Sequence, residues 1–110
     1  YNYVSPNTLS LYHILKKITD RSRSMELKFT SYAWEDYKYW EKQDSRTLKK
    51  INALIDSLLR EPGASGIGKS ERLSGNLSGW CSKRIDTRNR MGYRFEGVSV
   101  LCIAQLRFHY

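Results

Sequence analysis

One stretch of the chain, 98–107, constrains the fold most. Val98, Val100, Cys102 and Ala104 interleave with Leu101, Ile103 and Leu106, so apolar side chains fall on both faces of an extended segment. Such a strand must lie inside a sheet and be covered. Its partners precede it. Over 90–96, Met91, Tyr93 and Phe95 face one side and Arg90 and Arg94 the other. Residues 80–85 form another strand, with Trp80, Ser82 and Arg84 on one face. Residues 86–89 are turn-like, and Glu96-Gly97 turns the chain again. Near the start, Leu27 and Phe29 alternate with Lys28 and Thr30, which predicts a short first strand. Strand alternation carried to the chain end sends Phe108 into the core and His109 to the opposite face.

The cover comes from two helices. Thr30 or Ser31 caps the first, which runs to about Lys42 with a stripe of Ala33, Trp34, Tyr37 and Trp40. Glu35 and Asp36 sit near its positive end. Asp44 caps the second, whose stripe is Leu48, Ile51, Ile55, Leu58 and Leu59, and Pro62-Gly63 stops it. The short connection makes the pair antiparallel. Both stripes predict core. The order β-α-α-β-β-β gives an α+β domain, a mainly antiparallel sheet with the helix pair on one face. The arginines then belong to the other face.

At 110 residues the chain fits one domain. Cys81 and Cys102 have no metal-ligand spacing and no secretory segment beside them, so both are expected to pack as small apolar residues. No apolar run approaches a membrane span, and a cytoplasmic location is the expectation. Gly66-Ile67-Gly68-Lys69 resembles a phosphate loop, but the spacing is wrong, no strand leads directly into it and no helix follows. Residues 1–24 differ from the rest. Ser5-Pro6 starts a helix with Leu9, Tyr12, Leu15 and Ile18 at helical spacing. The expectation is an appended segment, 1–24, ahead of a domain at 25–110. A helix docked on that domain is the alternative.

Charge is unevenly placed. The chain carries 19 Lys+Arg against 11 Asp+Glu, formally +8. Residues 25–70 are nearly balanced, with eight basic and seven acidic side chains, whereas 71–110 hold seven basic and three acidic. A basic half concentrates polyanions such as RNA, DNA or acidic protein tails. Lys83, Arg84 and Arg94 are candidate phosphate contacts there. His109 and Tyr110 close a predicted strand, which makes them candidates for chemistry.

Residues 25–110 resemble the YoeB/Txe toxins of the RelE superfamily. The resemblance is carried by Trp34-Glu35-Asp36-Tyr37, Tyr39-Trp40 and Lys49-Lys50-Ile51-Asn52. Further matches are Gly75-Asn76-Leu77-Ser78-Gly79-Trp80 and Ser82-Lys83-Arg84-Ile85, then Asn89-Arg90, Tyr93 and the closing Arg107-Phe108-His109-Tyr110. It implies the toxin of a type II toxin–antitoxin pair, which cleaves messenger RNA in the ribosomal decoding site with no metal or other cofactor. Implied partners are mRNA and rRNA at the ribosomal A site, a YefM/Phd-type antitoxin and a second copy of the chain. The family's carboxylate falls on Glu71, one arginine on Arg84, the catalytic arginine on Arg90, and the terminal pair on His109 and Tyr110. Two departures stand out. Ser70 and Arg72 flank Glu71 where the family usually has prolines, and Cys81 replaces a common aromatic.

These residues suit RNA cleavage. A base must take the 2′-hydroxyl proton, the pentavalent phosphate needs its charge stabilised, and an acid must protonate the leaving 5′-oxygen. Glu71, Arg90 and His109 match those roles. Arg84 adds phosphate contact, and Tyr110 positions phosphate or stacks on a base. Two other classes remain: a ParE-like inhibitor of DNA gyrase, and a non-catalytic RNA-binding module in which Glu71 is idle.

Overall fold

The computed structural model describes residues 25–61 and 70–108. The helix expected within 1–24, the loop at 63–69, and His109 and Tyr110 lie outside the described residues. Among the described residues are five strands and two helices: β1 (Glu26–Phe29), α1 (Ser31–Gln43), α2 (Ser45–Arg60), β2 (Ser70–Arg72), β3 (Cys81–Arg84), β4 (Arg90–Glu96) and β5 (Val100–Gln105). A single 3₁₀ turn spans Gly75–Leu77. The sheet order is β1-β5-β4-β3-β2, with β1 parallel to β5 and every other pair antiparallel. This is the expected α+β, RelE-like architecture, with β2 as an additional edge strand.

Local chemistry accounts for the elements. Thr30 Oγ1 accepts the Ala33 N–H at 3.0 Å, so Thr30 is the cap of α1. Asp44 Oδ1 accepts from Arg46 N–H (3.0 Å) and Thr47 N–H (3.2 Å) and starts α2. Tyr37 Oη donates to Asn52 Oδ1 at 2.8 Å and ties the two helices together. Ile51, Leu54, Ile55 and Leu58 of α2 are buried in one cluster with Met91, Tyr93, Leu101 and Ile103 of the sheet. Trp34 departs from the expected stripe: it is half exposed, stacked on Tyr37 beside Phe29.

The last strand ends earlier than its apolar run. Val98 is almost fully exposed in the turn that Gly97 makes at φ +64°. At the other end, Asp36 Oδ2 accepts the Leu106 N–H (2.9 Å) and Trp40 Nε1 donates to the Leu106 carbonyl (2.9 Å). These two α1 side chains take over the backbone of Leu106, whose own side chain fills the core. Strand alternation stops there. Phe108 therefore does not enter the core: it is 62% exposed, at φ +68°.

Candidate functional site

The β3–β4 turn is a built device. Asp86 Oδ1 accepts the N–H groups of Arg88 (2.8 Å) and Asn89 (2.7 Å). Asn89 Nδ2 donates to both Asp86 carboxylate oxygens at 3.0 Å. Partial burial works against the Asp86 carboxylate, but the hydrogen bonds from Asn89 and Arg88 outweigh it and hold its pKa below the ordinary 3.8. Arg90 Nη1 donates to the carbonyls of Asp86 (3.0 Å) and Asn89 (3.3 Å), so the turn also orients that guanidinium. The turn then catches Phe108. Phe108 N–H donates to Asn89 Oδ1 (2.7 Å), and Arg90 N–H donates to the Phe108 carbonyl (3.0 Å).

Register assigns the faces. Arg84 stands directly opposite Arg90, Ser82 opposite Gly92, and Glu71 opposite Ser82. Residues paired across strands share a face, so Glu71, Ser82, Arg84, Arg90, Gly92 and Arg94 lie on the face away from the helices. Ser82 and Gly92 form its buried floor, while Glu71 and Arg84 are exposed. Facing cross-strand residues have Cβ atoms about 5 Å apart, and like charges so placed repel. Neither Arg84 nor Arg90 has a carboxylate partner among the described residues. The result is a concentrated positive site with Glu71 one row away. Strand spacing and rise put the Glu71 and Arg90 Cα atoms about 12 Å apart, a gap that two long side chains and a phosphate between them fill.

Glu71 sits at the centre of β2, whose Ser70, Glu71 and Arg72 pair with Lys83, Ser82 and Cys81. The Ser70 hydroxyl is hydrogen-bonded to the Tyr93 hydroxyl. Tyr93 is otherwise buried in the core, as expected, and burial raises its pKa although the Ser70 bond pulls the other way.

Arg94 lies on the same face but is engaged. Its guanidinium is 4.3 Å from the Trp80 ring centre and pairs with Glu96 Oε2 at 3.1 Å. Lys83 is a correction. It pairs with Met91 on the helix side of the sheet and is 1% exposed, so it does not line the open face where a phosphate contact was expected. Burial lowers its pKa. Strand alternation carries the reason, since a residue adjacent to Arg84 must point the other way. Asn89 and Asp86 are residues to which the sequence reading gave no role beyond a turn and a motif match. An Asp three positions before an Asn, between two strands, is the signal of such a turn. Among the described residues no three of His, Cys, Asp and Glu gather as a metal site, and both cysteines are free thiols.

Comparison with known proteins identifies the kind of molecule. Residues 29–110 match the family described as "YoeB-like toxin of bacterial type II toxin-antitoxin system". Toxin YoeB of Streptomyces coelicolor is 44% identical over 86 residues, 78% of this chain and all of the relative. Toxin YoeB of Escherichia coli K12 has the same identity and coverage. Among solved structures, the YoeB/ParE toxin from Agrobacterium tumefaciens superposes with a TM-score of 0.73 at 41% identity, over 78% of this chain and 100% of that one. The toxin of a YoeB–YefM complex from Staphylococcus aureus gives 0.70 at 37%, over 78% and 98%. The chain belongs to the YoeB-like toxins of bacterial type II toxin–antitoxin systems.

Proposed function

We propose that the toxin is a metal-free, ribosome-dependent mRNA endonuclease working by general acid–base catalysis. The observation that carries this reading is the unneutralised Arg84–Arg90 pair on the open face, one strand row from Glu71. Two opposed guanidinium groups suit a phosphate that gains charge in a transition state. Glu71 takes the proton of the 2′-hydroxyl. The 2′-oxygen attacks the adjacent phosphorus while the bond from phosphorus to the 5′-oxygen breaks. Arg84 and Arg90 hold the equatorial oxygens, and His109 gives its proton to the departing 5′-oxygen. The products are a 2′,3′-cyclic phosphate and a 5′-hydroxyl. Tyr110 positions the phosphate or stacks on a base. The Asn89 and Arg90 bonds hold Phe108, the residue before His109, beside Arg90, which supports the roles of His109 and Tyr110.

In this reading the partners are mRNA and rRNA in the A site, in the cytoplasm. A cognate YefM/Phd-type antitoxin silences the toxin by covering the arginine face, and a second copy forms a homodimer, the forms in which Staphylococcus aureus YoeB has been solved. Mapping the cut ends of a translated message, with and without ribosomes, tests the proposal. Cuts that need ribosomes and vanish in Arg90→Ala are expected. Absence of cuts, with inhibition of gyrase supercoiling in a parallel assay, would overturn it.

A further inference from the structure

A second cluster shares the face with Glu71. Trp80 immediately precedes β3, and its backbone is held by Leu77 O (3.1 Å) and Leu73 N–H (2.9 Å). Continuing the β3–β4 register past Cys81 and Tyr93 sets Trp80 opposite Arg94. The Arg94 guanidinium lies over the indole at 4.3 Å. Its edge is fixed by Glu96 Oε2, at 3.1 Å from Nη2 and 3.4 Å from Nε. Lys28 Nζ holds the other Glu96 oxygen at 3.0 Å, and these bonds from Lys28 and then Arg94 keep the Glu96 pKa low, so the clamp is charged at neutral pH. The indole thus lies against one side of the guanidinium carbon. The Arg94 side chain is still 43% exposed, so much of it remains open.

We infer that Trp80, Arg94 and Glu96 form a nucleobase-stacking subsite, which holds the base of a nucleotide next to the scissile one. The inference rests on the proposed RNA-cleaving reading and adds where the substrate's neighbouring base goes. Three observations support it. Nucleobases stack on aromatic rings and on planar guanidinium groups, and a tryptophan-backed arginine offers such a plane already oriented. By strand spacing and rise, Trp80 lies one row and one strand from Glu71, about 8 Å, Arg94 one row and two strands from it, about 12 Å, and the pair is two rows from Arg84–Arg90, about 13 Å. Such spans correspond to one or two nucleotide steps of an extended strand. Finally, Arg94 is paired with a carboxylate, Glu96, which it shares with Lys28, unlike Arg84 and Arg90. A guanidinium engaged in this way competes less for phosphate while remaining available for stacking.

The test uses the full chain and ribosomes programmed with a short message. In one arm the message is uncleavable, with 2′-O-methyl groups, and carries 2-aminopurine at each position beside the scissile bond in turn. Fluorescence of 2-aminopurine falls when it stacks. Wild type should quench one position, Trp80→Leu and Arg94→Gln should lose that quench, and Trp80→Phe should restore it. In the other arm the message is cleavable. Trp80→Leu should raise KM about tenfold, with a smaller fall in kcat and little change in melting temperature. Identical quenching in all variants would overturn the subsite. So would a loss of Tm and kcat together with no position-dependent quench, which is the mark of a packing role over Cys102, the residue paired with Arg94 on β5. Failure of wild type to cut the cleavable message would remove the nuclease reading, while the quench comparison would still decide the subsite.

Discussion

Asn89 has no assigned part in the proposed chemistry, yet its removal should reach it. Asn89→Ala deletes two bonds to the Asp86 carboxylate and the bond that accepts Phe108 N–H at 2.7 Å. A net hydrogen bond contributes about 0.5–1.5 kcal/mol. These groups are exposed and water replaces part of the loss, so a cost of about 1–2 kcal/mol is expected. For a domain of this size that lowers Tm by roughly 5–10 °C. The activity loss should be larger than that implies. Arg90 would lose the turn that orients it, and the chain end would lose one of its two tethers. Misplacement of catalytic groups by about 1 Å can cost on the order of 10²-fold, so kcat should fall about 10- to 100-fold with a smaller change in KM. Asp86→Ala is the control. It removes those two turn bonds together with the bonds from Arg88 N–H and Asn89 N–H but leaves Asn89 Oδ1 free to hold Phe108, and should melt no higher than Asn89→Ala while cutting faster. Single-turnover cleavage on ribosomes and a thermal melt decide the matter. An Asn89→Ala protein that melts lower but cuts at the wild-type rate would refute the tether.

Glu71→Gln should lower cleavage by ~10²–10⁴-fold without weakening ribosome binding; near-normal cleavage would exclude it as the base. Removing His109 and Tyr110 together takes away the proposed acid and stacking group, so cutting should collapse while Tm changes little, as a melt and a cleavage assay on one sample will show. A chain starting at Met25 retains every described element and should melt and cut like the full chain; a large fall in Tm would mean that Leu9, Tyr12, Leu15 and Ile18 pack on the domain. In acid, Asp86, Asp44 and Glu96 have folded pKa values below their unfolded ones. Their stabilisation is therefore complete above the unfolded values and is lost as pH falls through the folded ones. Tm should drop from about pH 5 downward, less steeply in Asp86→Asn, and a flat profile to pH 3 would contradict the assignment.

The helices were legible because their signals are local. Thr30 and Asp44 cap through bonds to residues two or three positions on, and the α2 stripe repeats at helical spacing. β2 was not legible. Ser70, Glu71 and Arg72 are all exposed and polar, and an edge strand with no buried side chain leaves no alternation to detect. The end of β5 was hidden for another reason. Asp36 and Trp40 capture Leu106 from 70 and 66 residues away, and nothing near Leu106 announces that its backbone partners lie on a helix. The arginine face was readable from alternation, which also held the means to exclude Lys83: with Ser82 and Arg84 outward, it could only point inward.

Placing Glu71 on so short a strand raises the question of what steadies it. The family resemblance leads one to expect prolines beside the carboxylate, and this chain has Ser70 and Arg72 instead. A proline would act on the unfolded chain, by removing backbone freedom worth about 0.4–1 kcal/mol. Here the restraint acts on the folded state. Ser70 and Arg72 both pair with β3, and the Ser70 hydroxyl is bonded to Tyr93. One such bond contributes about 0.5–1.5 kcal/mol, which matches the ring it replaces. The tie is also indifferent to pH where it matters. Burial lifts the Tyr93 pKa above 10.0, so its hydroxyl stays protonated wherever ribosomes are active. Tyr93 is itself a buried member of the core, 4% exposed and edge-on to Phe95. Through one hydroxyl, an edge strand with no buried residue of its own is fastened to the packed centre of the domain, and Glu71 with it.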